Sequence, residues 1–297
     1  MLLLGNINAC LMVTGNAVLL GVILGKRSLR ERHELLIVAG LALADLFYGI
    51  GIGLYGLEQL LAGNQTMITP WQCWKKPFSS FITMGSQAAA FMQIVVAVDR
   101  LIAIRWVHRY IAFGMRYVAV NLVSVYAYTI VTFILAGLLS FVYTNADEPH
   151  ITHCISTLIS IPAYEPYPGW VFLASGVGSV GIYAAAILAF RNHHHRMLDR
   201  GIVAHEQRQN RFTRIIGALR FVMLVTLVCY TLPRFLILLH SNGVIWLSGK
   251  NQLWLFRLGH INSYINVFIF TLFPEDFRND IHLRHCSCST PKALDAI

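Results

Sequence analysis

The stretch Phe78–Ile104, FSSFITMGSQAAAFMQIVVAVDRLIAI, decides the fold of this 297-residue chain. It is longer than the roughly 20 residues that a helix needs to cross about 30 Å of hydrocarbon. Its charged residues, Asp99 and Arg100, stand together near its end. Charged residues are costly at a membrane boundary and usually functional. The stretch also carries polar residues, which predict a helix inside a bundle: Ser79, Ser80, Thr83, Ser86, Gln87 and Gln93.

Six further apolar runs reach spanning length. They are Leu2–Gly25, Leu35–Leu61, Val118–Val142, Gly169–Phe190, Ile215–Leu239 and Gln252–Phe273. Hydrophobic residues make up 56% of the chain, charged residues 12%, and the mean hydropathy is +0.59. A soluble domain carries about twice that charged fraction. The sequence therefore predicts an all-α membrane protein, a single seven-transmembrane helix bundle over residues 1–297 with a tail at 274–297. No cleavable signal peptide is evident, so the first run is expected to direct insertion.

The distribution of basic residues predicts the orientation. With the N-terminus outside, 18 of the 23 lysines and arginines lie in inner segments, four lie in outer segments, and Arg234 lies in the sixth run. This bias is typical of a multi-pass protein of the cell membrane with a cytoplasmic C-terminus. The net charge of +9 then reflects topology and attraction to anionic lipid rather than a nucleic-acid partner.

Short motifs follow one another along the chain. They are Gly15-Asn16, Leu41-Ala42-Leu43-Ala44-Asp45-Leu46, Asp99-Arg100-Leu101-Ile102-Ala103-Ile104, Arg109-Tyr110, Cys229-Tyr230-Thr231-Leu232-Pro233, Asn266-Val267-Phe268-Ile269-Phe270 and Phe277-Arg278. Together they resemble those of the rhodopsin-like (class A) G-protein-coupled receptors, with an extra residue and no Trp in the motif before Pro233. Several activation residues of the family are replaced, which indicates a divergent, invertebrate chemosensory-like branch: Leu101, Val107, Thr231, Val267 and Phe270.

The resemblance implies a receptor rather than an enzyme, with a short amphipathic eighth helix after the seventh span. It implies binding of an extracellular small molecule or short peptide and activation of a heterotrimeric G protein. A membrane transporter or channel is the alternative from another class, although no internal repeat of the kind that builds many transporters is visible. A seven-helix decoy that does not signal is a further alternative.

The resemblance also implies a coupling switch formed by Asp99, Arg100, Tyr183 and Asn266. A buried arginine needs partners, because an unpaired guanidinium in a low dielectric costs several kcal/mol. Asp99 can supply one at rest, and the C-terminal backbone of a partner protein can supply one after the sixth helix moves outward. The alternative is that Asp99-Arg100 only marks the headgroup boundary.

Asp45 lies near mid-bilayer, where a carboxylate needs partners. The resemblance implies a polar core that holds a sodium ion or water, formed by Asn16, Asp45, Asn262, Ser263 and Asn266. The alternative is a hydrated network that only joins the helices. Ala89 stands where the family often supplies a serine to the ion. No other cofactor and no transition-metal site are expected.

The candidate ligand pocket consists of outer-half residues, namely Glu58, Ile82, Tyr230, Arg234, Phe256, Arg257 and His260. By the resemblance, Ile82 stands where amine receptors carry an aspartate, which disfavours a biogenic amine. Arg257 could pair with Glu58, which would leave Arg234 for an anionic ligand. The alternative is that Arg234 pairs with a loop acid: Asp147, Glu148 or Glu165.

Three covalent features are predicted. Cys73 and Cys154 lie in outer segments, where an oxidising exterior favours their pairing, and the resemblance implies the same disulfide. Asn64 begins a glycosylation sequon, although its closeness to the membrane could block the transferase. Cys286 and Cys288 are candidates for palmitoylation, with plain reduced cysteines as the alternative.

Overall fold

The computed structural model describes residues 2–61, 69–144, 166–199 and 206–272, and these residues are mostly helical. The helices are α1 Leu2–Gly25, α2 Arg27–Arg30, α3 His33–Leu61, α4 Pro70–Trp74, α5 Pro77–Arg105, α6 Val107–Thr144, α7 Pro166–Asp199, α8 Glu206–Val225, α9 Leu232–Ser241 and α10 Gly249–Leu272. A π-helical turn, Thr226–Thr231, joins α8 to α9.

Within the described residues, six helical segments are long and apolar enough to cross a membrane. They are Gly5–Gly25, His33–Leu61, Pro77–Arg105, Ala112–Val142, Tyr167–Asn192 and Ile216–Ser241. They match the first six predicted runs. The seventh run is helical in α10, which carries charged Lys250 and Arg257. The predicted tail and eighth helix lie outside the described residues.

Three helices extend well beyond the predicted runs. α6 begins at Val107 rather than Val118, α7 continues to Asp199 rather than Phe190, and α8 begins at Glu206 rather than Ile215. Polar and charged residues beside the apolar runs therefore continue these helices. α6 is broken at Gly114, whose φ of 55° and ψ of −159° lie outside the helical region. A left-handed φ costs glycine little, so Gly114 separates the loop segment that carries Tyr110 from the fourth span.

α5 lies at the centre of the bundle and packs most extensively against α3 and α7, while α3 packs against α1. Its residues Ser79, Thr83 and Gln87 are buried, so the prediction of an interior helix is confirmed. Glycines allow the close approach of α3 and α5. A Cβ atom on Gly51 would lie 2.7 Å from the backbone nitrogen of Ile82. Small residues at a helix crossing permit such packing inside a membrane.

The sixth span changes its helical geometry just before Pro233. Residues Thr226–Thr231 form a π turn, and Thr231 Oγ1 donates to the Thr226 carbonyl at 3.1 Å. Proline lacks an N–H and clashes with the preceding turn, so the backbone must adjust there. A π turn accommodates one residue more than an α turn. The extra residue in the motif before Pro233 therefore has a structural counterpart.

Candidate functional site

The C-terminal end of α5 holds a buried carboxylate with two neighbours. Asp99 is only 1% exposed, and its Oδ2 lies 4.0 Å from Arg100 Nη1. The hydroxyl of Tyr110 donates to the same Oδ2 at 3.1 Å. Asp99 Oδ1 has no hydrogen-bond partner among the described residues. Tyr110 is thus the closer partner of Asp99, while Arg100 is held by a longer ion pair.

Tyr110 is suited to the donor role. It lies before the fourth span, and burial, together with the nearby Asp99 carboxylate, raises the pKa of its hydroxyl. The hydroxyl therefore stays protonated and can donate. The His33 ring contacts the Tyr110 ring edge-on, with a centroid separation of 4.5 Å. The sequence shows Tyr110 in a motif, but it does not predict that Tyr110 and His33 belong to this site. No local pattern reveals that the side chain of Tyr110 reaches α5.

The other two residues of the predicted switch are placed differently. Tyr183 on α7 is buried in a cluster that includes Ala97, Ile104 and Leu219. It also lines a small cavity with Gln93, Ser179 and Thr226. Asn266 lies in α10, and its side chain is outside the described part of the structure. Tyr183 thus packs with α5 residues that flank Arg100 in sequence, and its role in a switch stays a prediction.

The predicted polar core draws on three helices. Asn16 on α1, Asp45 on α3, and Asn262 and Ser263 on α10 are all buried. Ser263 Oγ donates to Asp45 Oδ1 at 2.8 Å, and Asn16 Nδ2 donates to the Met12 carbonyl at 2.9 Å. Asn262 Oδ1 has no partner among the described residues. Carboxylate, hydroxyl and amide oxygens suit a hard cation, so these groups fit the predicted sodium ion. Ion binding there stays a prediction.

At the outer end, Glu58 and Ile82 have partners that the sequence did not predict. Glu58 accepts a hydrogen bond from Lys76 Nζ at 2.7 Å. Ile82 packs against a cluster formed by Cys73 and Phe78. Arg257 on α10 is 91% buried, and its guanidinium carbon lies 5.2 Å from the centre of the Trp254 ring. Glu58 is thus engaged by Lys76 at the edge of the candidate pocket.

The remaining pocket residues converge on the sixth span. The guanidinium carbon of Arg234 lies over three rings, 4.4 Å from the centroid of Phe172, 5.4 Å from Phe256 and 6.0 Å from Tyr230. His260 Nε2 lies 3.3 Å from the hydroxyl of Tyr48. Sequence reasoning missed Phe172 and Tyr48, because an aromatic residue within an apolar run does not reveal which way it faces.

The predicted covalent sites are only partly described. Cys73 is fully buried in α4, and its Sγ lies 3.7 Å from Ser79 Oγ. Cys154, Asn64, Cys286 and Cys288 lie outside the described residues. The disulfide, the glycan and the palmitoyl groups therefore stay predictions.

Comparison with known proteins identifies a matching protein family. A family model described as "Serpentine type 7TM GPCR chemoreceptor Srsx" matches residues 9–284, which is nearly the whole chain. No curated protein sequence matches the chain closely enough to count as a relative. The match covers every helix from the middle of α1 to the end of α10.

Proposed function

The chain belongs to the Srsx family of serpentine chemoreceptors, a family of G-protein-coupled receptors, and we propose that it binds an extracellular small molecule or short peptide and activates a heterotrimeric G protein. In this proposal α10 is the seventh span, and the N-terminus is outside. Residues 274–297 form a cytoplasmic tail that begins with an amphipathic helix. The excess of basic residues in the inner segments supports this orientation.

The observation that carries the proposal is the arrangement of Asp99, Arg100 and Tyr110 at the inner end of α5. The Arg100 side chain is 13% exposed, so the guanidinium is largely desolvated but reachable from the cytoplasmic side. Its ion pair with Asp99 is long, at 4.0 Å. A partner protein that offers backbone carbonyls can compete for such a guanidinium. The partner protein then stabilises the receptor conformation in which Arg100 makes this contact, because it binds that conformation more tightly than the resting one.

The π turn in the sixth span supports the proposal that this span moves during activation. Its backbone departs from regular helical geometry beside Pro233, and such turns occur often at functional sites. α8 packs against α7 in the cluster that contains Tyr183 and Ala97. An outward motion of α8 would open this cluster and uncover the region of Arg100. Ligand contacts near α9 could bias this equilibrium.

The test measures nucleotide exchange on a panel of G proteins with wild type, Arg100→Ala and Arg105→Ala. Agonists are first sought on the wild type among short peptides and organic acids. Arg105 is the matched control, because it lies on the same helix but is exposed. We expect Arg100→Ala to abolish ligand-dependent exchange at unchanged surface expression, while Arg105→Ala retains it. Full signalling by a well-expressed Arg100→Ala variant would contradict the proposed switch.

A further inference from the structure

Arg234 occupies a cage of aromatic rings that comes from three different parts of the fold. Phe172 belongs to α7, Tyr230 to the π turn and Phe256 to α10. The three ring centroids lie within 6.0 Å of the Arg234 guanidinium carbon. A hydrogen bond between Ser175 and Tyr230, at 3.2 Å, ties one wall of the cage to α7. The walls are thus held by the packing of the bundle.

The charge at the centre of this cage is that of Arg234. No carboxylate lies within 4.0 Å of Arg234 among residues 2–61, 69–144, 166–199 and 206–272. The Asp45 carboxylate of α3 accepts a hydrogen bond from Ser263, and Arg257 is a second, buried cation on α10. Arg234 is half-buried, and a cation within a membrane span that lacks a nearby anion is costly and marks a functional site by default. The site is therefore complementary to a negative charge.

The Tyr48 hydroxyl is a hydrogen-bond partner of Arg234, and one hydroxyl occupies only part of the five N–H donors of a guanidinium. A guanidinium that stacks on a ring keeps its in-plane N–H donors free for a planar anion. A carboxylate can accept two parallel hydrogen bonds from that edge. The rings of Phe172 and Phe256 then offer apolar surface beside the carboxylate.

On the proposed receptor function, we infer that Arg234 and its aromatic cage bind the carboxylate of a small organic acid with an apolar body. Arg234 supplies the charge and the two donors. Phe172, Tyr230 and Phe256 contact the apolar part of the ligand. The same acid without its charge, as the methyl ester, should bind much more weakly.

The experiment measures the thermal stability of the purified receptor without a G protein, so it can fail independently of the proposed coupling. The probes are octanoate, phenylacetate and indole-3-acetate, each with its methyl ester, and one short apolar peptide with a free or amidated C-terminus. Shifts in Tm against concentration give an apparent affinity for each probe. We expect one or more of the acids to bind wild type about tenfold more tightly than the corresponding methyl ester or amide.

The variants are Arg234→Gln, Arg234→Lys and the matched control Lys75→Gln. Lys75 is an outer cation over the Trp71 ring at 4.8 Å, away from the cage. The preference for the acid should disappear in Arg234→Gln and persist in Lys75→Gln. If Arg234→Gln does not fold, Arg234→Lys provides the test. Lysine keeps the positive charge but cannot donate two parallel hydrogen bonds to a carboxylate, so the affinity for the acid should fall about tenfold. The inference is overturned if wild type does not prefer any acid over its uncharged partner. It is also overturned if the Arg234 variants keep the full preference of wild type.

A final variant tests pairing of Arg234 with the outer loop. Asp147, Glu148 and Glu165 lie outside the described residues, and the triple change Asp147→Asn, Glu148→Gln, Glu165→Gln removes their charges together. We expect this variant to keep the preference for the acid. The contrary result has two parts: the Tm of the triple variant falls as much as that of Arg234→Gln, and neither wild type nor the triple variant distinguishes the acid from the ester. Arg234 would then be a structural partner of the loop, and the inference would be overturned.

Discussion

The carboxylate of Asp99 is shared by two groups of different chemistry. Tyr110 reaches it from the loop segment before the break at Gly114, at 3.1 Å, and Arg100 approaches it at 4.0 Å from the next position on α5. Asp99 is almost completely buried, so each partner compensates part of its lost hydration. The hydrogen bond from Tyr110 therefore anchors the start of α6 to α5, and Arg100 lies farther from the carboxylate than Tyr110 does.

We expect Tyr110→Phe to destabilise the receptor by about 1.5–3 kcal/mol, since it removes a hydrogen bond to a buried charged group. The measurement is the Tm of the purified protein in the same detergent or nanodisc. Tyr117→Phe is the matched control, because the Tyr117 hydroxyl makes no hydrogen bond within the described residues. Equal changes in Tm for both variants would show that the hydroxyl of Tyr110 contributes nothing specific.

At the scale of the helices, α7 packs closely against the π turn. A Cβ atom on Gly176 would lie 2.6 Å from Thr231 Oγ1 and 3.2 Å from Tyr230 Cδ1. Ser175, its neighbour, is hydrogen-bonded to Tyr230. The absence of a side chain at Gly176 thus allows the π turn to sit against α7. This contact also sets the position of Arg234, which follows the turn.

We expect Gly176→Ala to reduce stability by about 1–3 kcal/mol relative to Gly178→Ala, because an added methyl group must push the π turn away. Gly178 is the matched control on the same helix, since a Cβ atom there would meet nothing within 4 Å. Both changes gain the same helix propensity, so their difference reports the contact alone. Tm and ligand-free nucleotide exchange are measured together. Indistinguishable variants would argue against this close contact.

At the scale of the whole molecule, the short helix α4 connects the outer loop to the bundle. Trp74 stacks on Phe133 of α6 with a centroid distance of 5.1 Å, and its Nε1 donates to the Phe133 carbonyl at 3.3 Å. Thr69 caps the start of the helix and accepts from the Gln72 N–H at 3.2 Å. α4 therefore holds Cys73 in a fixed, buried position near the start of α5.

We predict a disulfide between Cys73 and Cys154 that ties the second outer loop to α4. Closing a loop of about 80 residues stabilises a protein by several kcal/mol in the chain-entropy model. Peptide mapping under non-reducing conditions should find the two cysteines linked, and the exposed Cys10 should be alkylated as an internal control. Alkylation of both Cys73 and Cys154 after denaturation without a reductant would contradict the prediction.

The sequence by itself determined the class of protein and the position of the spans. Six predicted runs coincide with helices of spanning length, and the seventh coincides with α10. Hydropathy is a property of a contiguous segment, so it can be read without knowing the neighbours of that segment. The ordered motifs added the receptor family for the same reason, since each motif is local in sequence. The hydropathy runs missed the start of α6, the end of α7 and the start of α8, which continue the helices through polar and charged residues.

The tertiary structure alone decided which side chains meet. Three contacts each join different elements of the fold: Tyr110 with Asp99, Lys76 with Glu58, and the Arg234 guanidinium over the Phe172 ring. These contacts depend on how each helix is rotated about its axis, and packing against its neighbours sets that rotation. In an apolar run most faces look alike in sequence, so the run specifies a helix but not the direction in which each residue points.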